Sequence, residues 1–187
     1  MPHFAVDPFQ AALQAAFQQG LSLACDPDAR LQQAFPGLRP GTYKIIDSAH
    51  SRYNCIAWAV GKSDAHWWPG QAPKSYWPPN IPPYPTLDAF TQLFRSLGYE
   101  ICTSAAFERR FEKIAIFADN SGVQHAARQR GNGRWSSKAG PWELFEHDLR
   151  AVECATYGTV VQIMQRKRTL GRMIWEAIYF LAEPRVS

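Results

Sequence analysis

Cysteine 55 follows Asn54 directly and opens the apolar run CIAWA, so a nucleophilic side chain stands where a helix is expected to begin. A thiol attacks efficiently only as its thiolate, and a helix N-terminus and a neighbouring imidazole are two ways to favour that form. The run itself supplies the first. For the second, His125 lies 125 − 55 = 70 residues further on, in the strand-like stretch VQHAARQ. Cysteine and histidine partners are neighbours in space and rarely in sequence. The chemistry expected of such a pair is attack of Cys55 on an amide carbonyl. His125 would take the thiol proton and return it to the leaving amine. The oxyanion would be held by the Cys55 backbone N–H and a second donor, Asn54 or a group from the 47–52 turn. A third group must orient the imidazole. Ser136, Ser137 and Asn132 are in reach of the following strand and turn, and Ser137 is the choice, although no Asp or Asn stands at the usual place. Taken singly, a cysteine in CIAWA reads as core and a strand histidine as structural. Their combination is what points to catalysis.

These residues need elements to hold them. PFQAALQAAFQQ at 8–19 has apolar residues at helical spacing, and DPDARLQQAF starts a second helix from a capping Asp and stops at Pro36-Gly37. TYKII at 42–46 is β-prone. Asn54 caps a helix of about two turns that Gly61 ends. Residues 66–85 hold seven prolines and five large aromatics, which forbids a regular helix or central strand. That loop has two readings. Its aromatic residues, Trp67, Trp68, Tyr76, Trp77 and Tyr84, either cover the core or, led by Trp67 and Trp68, form one wall of a substrate cleft. From Thr86 to Gly98, Leu87, Phe90, Leu93, Phe94 and Leu97 share one helical face. The period then changes to that of strands at 113–118, 123–129 and 134–138, joined by DNSG and RGNG into an antiparallel meander. GPWELFEHDLRAV reads as a helix with Pro141 in its first turn, which places His147 on a helix surface beside Glu143 and Glu146. GTVVQIMQRK is a further strand, and MIWEAIYFLAE is a last apolar element of either kind.

The whole is 187 residues with 46% hydrophobic and 19% charged side chains, enough to bury a core and too apolar for a disordered chain. Residues 1–34 read as an N-terminal helical segment and 35–187 as a single domain. A net charge of +4 with scattered basic residues, apart from RKR at 166–168, is a mild bias toward anions, and a nucleic-acid partner is not expected. The four cysteines show no C-x-x-C pair. Reduced thiols are expected, although two disulfides are not excluded by spacing. His50, His66 and His147 with Cys55 or Cys102 have no clip spacing, so no metal is expected, and no phosphate-binding glycine motif points to a nucleotide. No cofactor is expected. There is no signal-peptide pattern and no apolar run of spanning length, so a cytoplasmic, non-membrane protein is expected, with export by a leaderless route left open.

Several ordered blocks carry a resemblance: YNCIAWAVG, WWPG, YWP, LGYE, KIAIFA, HAARQ with GRWSSK, and YGTVVQIMQR. Together, from about residue 35 to 168, they resemble a widespread bacterial family described as a domain of unknown function. More remotely, Cys55 at a helix start with His125 on a later strand resembles the papain-like cysteine hydrolases, including cell-wall amidopeptidases and transglutaminase-like enzymes. That resemblance implies an α+β fold with N-terminal helices packed on an antiparallel sheet. It also implies hydrolysis or acyl transfer at an amide bond of a peptide, an isopeptide, a peptidoglycan stem or a glutamine side chain. A toxin or effector with an inhibitor or immunity partner is one setting that fits. The alternative is a non-catalytic protein- or nucleic-acid-binding module on the same frame.

Overall fold

The computed structural model describes residues 26–70 and 75–169. The helix expected over 8–19, Cys25 and the apolar element at 173–183 lie outside them.

Helix α1 (Pro27–Ala34) is capped by Asp26, whose side chain accepts from the Asp28 N–H, and it has proline in its first turn, where no intrahelical donor is lost. Strand β1 (Lys44–Asp47) follows. Helix α2 (Cys55–Ala59) is capped by Asn54, and Gly61 after it sits at φ 80°, a left-handed position that glycine adopts without strain. In the proline-rich stretch, β2 (His66–Trp67) and β3 (Ser75–Tyr76) are paired in parallel. Helix α3 (Leu87–Ser96) begins at the Thr86 cap and buries Phe90, Leu93 and Phe94. Strands β4 (Glu100–Cys102), β5 (Phe111–Asp119), β6 (Gly122–Gln129), β7 (Trp135–Lys138), β8 (Leu144–His147) and β9 (Thr159–Lys167) complete the order, with a 3-10 turn at Leu149–Val152.

Among the described residues, seven strands make one antiparallel sheet in the order β1-β8-β7-β6-β5-β9-β4. Its two faces carry separate cores. On one, α2, α3 and the aromatic loop cover Ile114, Ile116, Val123, Ala126 and Met164. On the other, Leu31 of α1 and Phe35 join Ala115, Phe117, Ala127, Phe145 and Tyr157. The architecture is α+β, with helices on both faces. Because α1 packs into the second core, the 27–34 stretch is part of the domain, and a boundary at 34 cuts through that packing.

One element departs from the sequence expectation. The stretch 140–152 is a turn, strand β8 and a 3-10 turn, with no α-helix. Strand β8 lies between β7 and β1, so its backbone groups pair on both sides: Trp135 faces His147, Ser137 faces Phe145, and Ile45 faces Phe145. Two-sided pairing outweighs the local helical pattern that Glu143, Leu144, Glu146 and Leu149 present. His147, expected on a helix surface, is therefore fully buried.

Candidate functional site

Strand β7 sets out the site, because successive residues of a strand point to opposite faces. Ser136 faces α2, where its Oγ accepts from Trp58 Nε1 at 3.1 Å. Ser137 faces the other way, with its Oγ 2.8 Å from His125 Nε2 and 2.8 Å from His147 Nε2. Lys138 faces the α2 side again.

His125 and Ser137 thus meet, and Cys55 is not with them. The sheet lies between. Cys55 belongs to the core beneath α2, only 8% exposed. His125 is wholly buried on the far face, stacked on Tyr157 with centroids 4.0 Å apart and the rings 5° from parallel, and edge-on to Phe117 at 5.4 Å. Its Nδ1 has no hydrogen-bond partner among the described residues, so no thiol is within bonding reach. The expected Cys55–His125 pair is accordingly not formed. Strand parity explains why: Ala126, not His125, faces the helix.

The protons of the buried trio follow from its partners. His147 Nδ1 lies 2.8 Å from the Asp148 carbonyl, which only accepts, so Nδ1 carries the proton. Burial pushes the His147 pKa down to about 4, so the ring is neutral and its Nε2 accepts. Ser137 donates its single proton there. The same oxygen then accepts from His125 Nε2–H, which leaves His125 Nδ1 bare. Burial, reinforced by His147, holds the His125 pKa well below the ordinary imidazole value. This is a structural relay across β6, β7 and β8.

Around Cys55 stands a different set. Lys138 is fully buried, and its Nζ donates to the carbonyls of His50 at 2.8 Å, Gly140 at 2.6 Å and Trp142. Burial pulls its pKa down to about 8, while Glu143, Asp47 and Cys55 pull the other way. Three carbonyl acceptors need three protons, so Lys138 is held as an ammonium. Its Nζ sits 5.8 Å from the centre of the Tyr53 ring, on which the His50 ring also packs at 4.7 Å. His50 Nε2 lies 3.3 Å from Asp47 Oδ2, a contact that is ionic only when the imidazole is protonated. Burial, then Lys138 and Arg52, lower the His50 pKa. Behind Lys138, Glu143 is paired with Arg30 of α1, so helix, strand and loop share one charge network.

Asn54 is committed elsewhere than to an oxyanion. Its Oδ1 accepts from Ala57 N at 3.1 Å and from Trp67 N at 3.1 Å, and its Nδ2 donates to Trp67 O at 2.9 Å. The amide therefore caps α2 and ties it to β2. Trp67 and Trp68 are likewise buried and form no open wall. Trp68 packs on Phe90 at 5.6 Å and Trp67 on Tyr76 at 4.7 Å. Of the loop aromatics, Tyr76 and Tyr84 are the exposed ones. The sequence reading missed Lys138 as a buried cation on the α2 face, although a lysine two residues after Ser136 on the same strand carried the signal. Among the described residues no group of His, Cys, Asp and Glu is arranged to hold a metal ion, and no helix is long and apolar enough to cross a membrane.

Helix α2 with Cys55 at its first position covers one face of an antiparallel sheet in an α+β domain, and Lys138 is buried on that face. Over residues 44–165 the chain matches the family described as a domain of unknown function, DUF7689, and it belongs to that family. No curated protein and no solved structure matches it.

Proposed function

We propose that this domain is a cysteine-dependent hydrolase or acyl transferase acting on an amide bond, with Cys55 as nucleophile and Lys138 as the charged group beside it. The observation that carries this reading is the buried Lys138 ammonium, fixed by three carbonyls on the face of the sheet that α2 covers. A fixed cation in a low-dielectric site favours the thiolate. The thiolate adds to the carbonyl carbon, the C–N bond breaks, and the leaving amine takes a proton. His50, whose carbonyl accepts from Lys138, takes the acid–base part: its imidazole accepts the thiol proton and returns it to the leaving amine, with Asp47 beside it. Water or an acceptor amine then breaks the thioester. A helix-borne thiol over an antiparallel sheet is the arrangement of the papain-like enzymes that the sequence resembles, and the source of the imidazole is where this chain departs. A peptide, an isopeptide, a peptidoglycan stem or a glutamine side chain presents the required bond.

The test is the pH dependence of iodoacetamide labelling at Cys55 in wild type, Lys138→Met, His50→Ala and His125→Ala. The expected result is labelling well below the ordinary thiol pKa that is lost in Lys138→Met and unchanged in His125→Ala. The low exposure of Cys55 favours a second reading, a non-catalytic interaction module. An inert thiol that no substitution alters supports that reading and overturns the first.

A further inference from the structure

Arg128 stands on β6 two positions after Ala126, so its side chain projects from the face that α2 covers. Its guanidinium lies over the Trp58 ring, 5.6 Å from the centroid. One hydroxyl fixes both ends of that contact: Ser136 Oγ accepts from Trp58 Nε1 at 3.1 Å and donates to the Arg128 carbonyl at 3.1 Å. The guanidinium is half-buried, and among the described residues no carboxylate pairs with it and no acceptor takes its N–H groups. The other half-buried arginines described, Arg30, Arg130, Arg134 and Arg166, each hold a carboxylate. Register brings Glu146 to the same face, opposite Ser136, but Arg130 at 3.3 Å and Asn132 at 3.0 Å already engage it. Arg128 is thus a positioned cation whose charge nothing nearby answers.

Trp58 follows Cys55 by three positions on α2, which places the two on one side of the helix. Its ring stacks on Tyr53 at 6.1 Å, and Tyr53 packs on His50 at 4.7 Å, so a row of rings leads from the unmatched cation to the imidazole assigned the acid–base part. Resting on the thiol chemistry proposed above, we propose that this row is the substrate-binding wall and that Arg128 selects substrates with a carboxylate close to the amide bond that Cys55 attacks. A guanidinium meets a carboxylate with two parallel N–H donors, a fit that a neutral amide does not offer. Contact with the Trp58 ring orders the group in advance, so less freedom is lost when the carboxylate arrives. The amides named above are narrowed to those with an acidic residue, or a chain-terminal carboxylate, beside the scissile bond.

The test is an NMR titration of the full chain carrying Cys55→Ala, which binds without reacting, followed at the Trp58 indole N–H. The probes are acetyl-Ala-Glu-Ala-amide, its neutral Gln counterpart, and acetyl-Ala-Gln-Ala with a free C-terminal carboxylate. At least one of the two anionic peptides binds about tenfold more tightly than the neutral one, and the tighter of them tells which carboxylate Arg128 reads. Arg128→Gln removes the preference and leaves the Kd of the neutral peptide unchanged, while Arg128→Lys recovers part of it. Salt rising from about 50 to about 300 mM weakens the anionic peptides selectively. An unchanged melting temperature shows that the variants fold. Equal binding of all three peptides, binding of none, or a loss in Arg128→Gln that falls on all three alike overturns the proposal. Labelling of Cys55 reports the thiol separately. A reactive thiol beside an unselective Arg128 overturns this inference and leaves the activity, and a selective Arg128 beside an inert thiol does the reverse.

Discussion

Acidification tests the relay through Ser137. His147 is neutral in the folded chain because burial disfavours its charged form, which lowers its pKa to about 4 against 6.5 for a free imidazole, and Ser137 lies 2.8 Å from its Nε2. A folded pKa below the unfolded one means that the unfolded chain binds the proton first. The stabilisation is therefore fully present above the unfolded value and is lost as pH falls toward the folded one. A gap of about 2.5 units is worth about 3 kcal/mol in full, and about 2 kcal/mol of that disappears by about pH 5, since each unit is about 1.4 kcal/mol. His125, shifted in the same direction, adds to the loss. Urea unfolding at about pH 7.5 and about pH 5 measures it, and His147→Gln isolates it, because Gln has no proton to take up while the carboxylates behave alike in both chains. The expected result is a pH-dependent drop that is smaller in His147→Gln by about 2 kcal/mol. The reasoning is refuted if both chains lose the same stability between the two pH values.

Four further outcomes follow from the geometry. Lys138→Met leaves the carbonyls of His50, Gly140 and Trp142 without their donor, and urea unfolding should show a loss of about 2–4 kcal/mol. Asn54→Ala removes the α2 cap and both ties to Trp67, for about 2 kcal/mol by the same assay. Arg30→Ala exposes the buried Glu143 carboxylate to an unpaired interior and should cost about 3 kcal/mol, with Glu143→Gln in the same background recovering part of it. Gly158→Ala places a Cβ 2.0 Å from the Ala118 carbonyl oxygen at φ 71°, so a lower melting temperature is expected, by more than the roughly 1–2 kcal/mol of a left-handed residue alone.

The local elements were legible where side-chain periodicity and caps agreed. Asp26, Asn54 and Thr86 each stand at the cap of a helix, and Phe90, Leu93 and Phe94 are buried as their spacing implies. Strands β5, β6, β7 and β9 are where alternation and turns placed them. Two things were not local. Strand β8 exists because β1, nearly a hundred residues earlier, pairs with it, and no window around Glu143 contains that partner. The face to which His125 points depends on which strand positions α2 covers, a property of packing that composition and spacing do not carry. Parity within WSSK did separate Ser136 and Lys138 from Ser137, yet which of the two faces met the helix needed the Trp58 contact. The three β4 residues were too short a run to read.

The consecutive residues Ser136, Ser137 and Lys138 serve three different clients: the helix, the histidines and the loop before α2. Such a strand behaves as a ratchet with a single allowed tooth. A shift by one position in either direction takes the ammonium away from its three carbonyls, and although one serine hydroxyl can stand in for the other, no such slip keeps the lysine contact. The turn at 130–134, held by Arg130 N to Arg134 O at 2.7 Å, is consequently fixed in length although it lies at the surface, where extra residues are ordinarily absorbed without penalty.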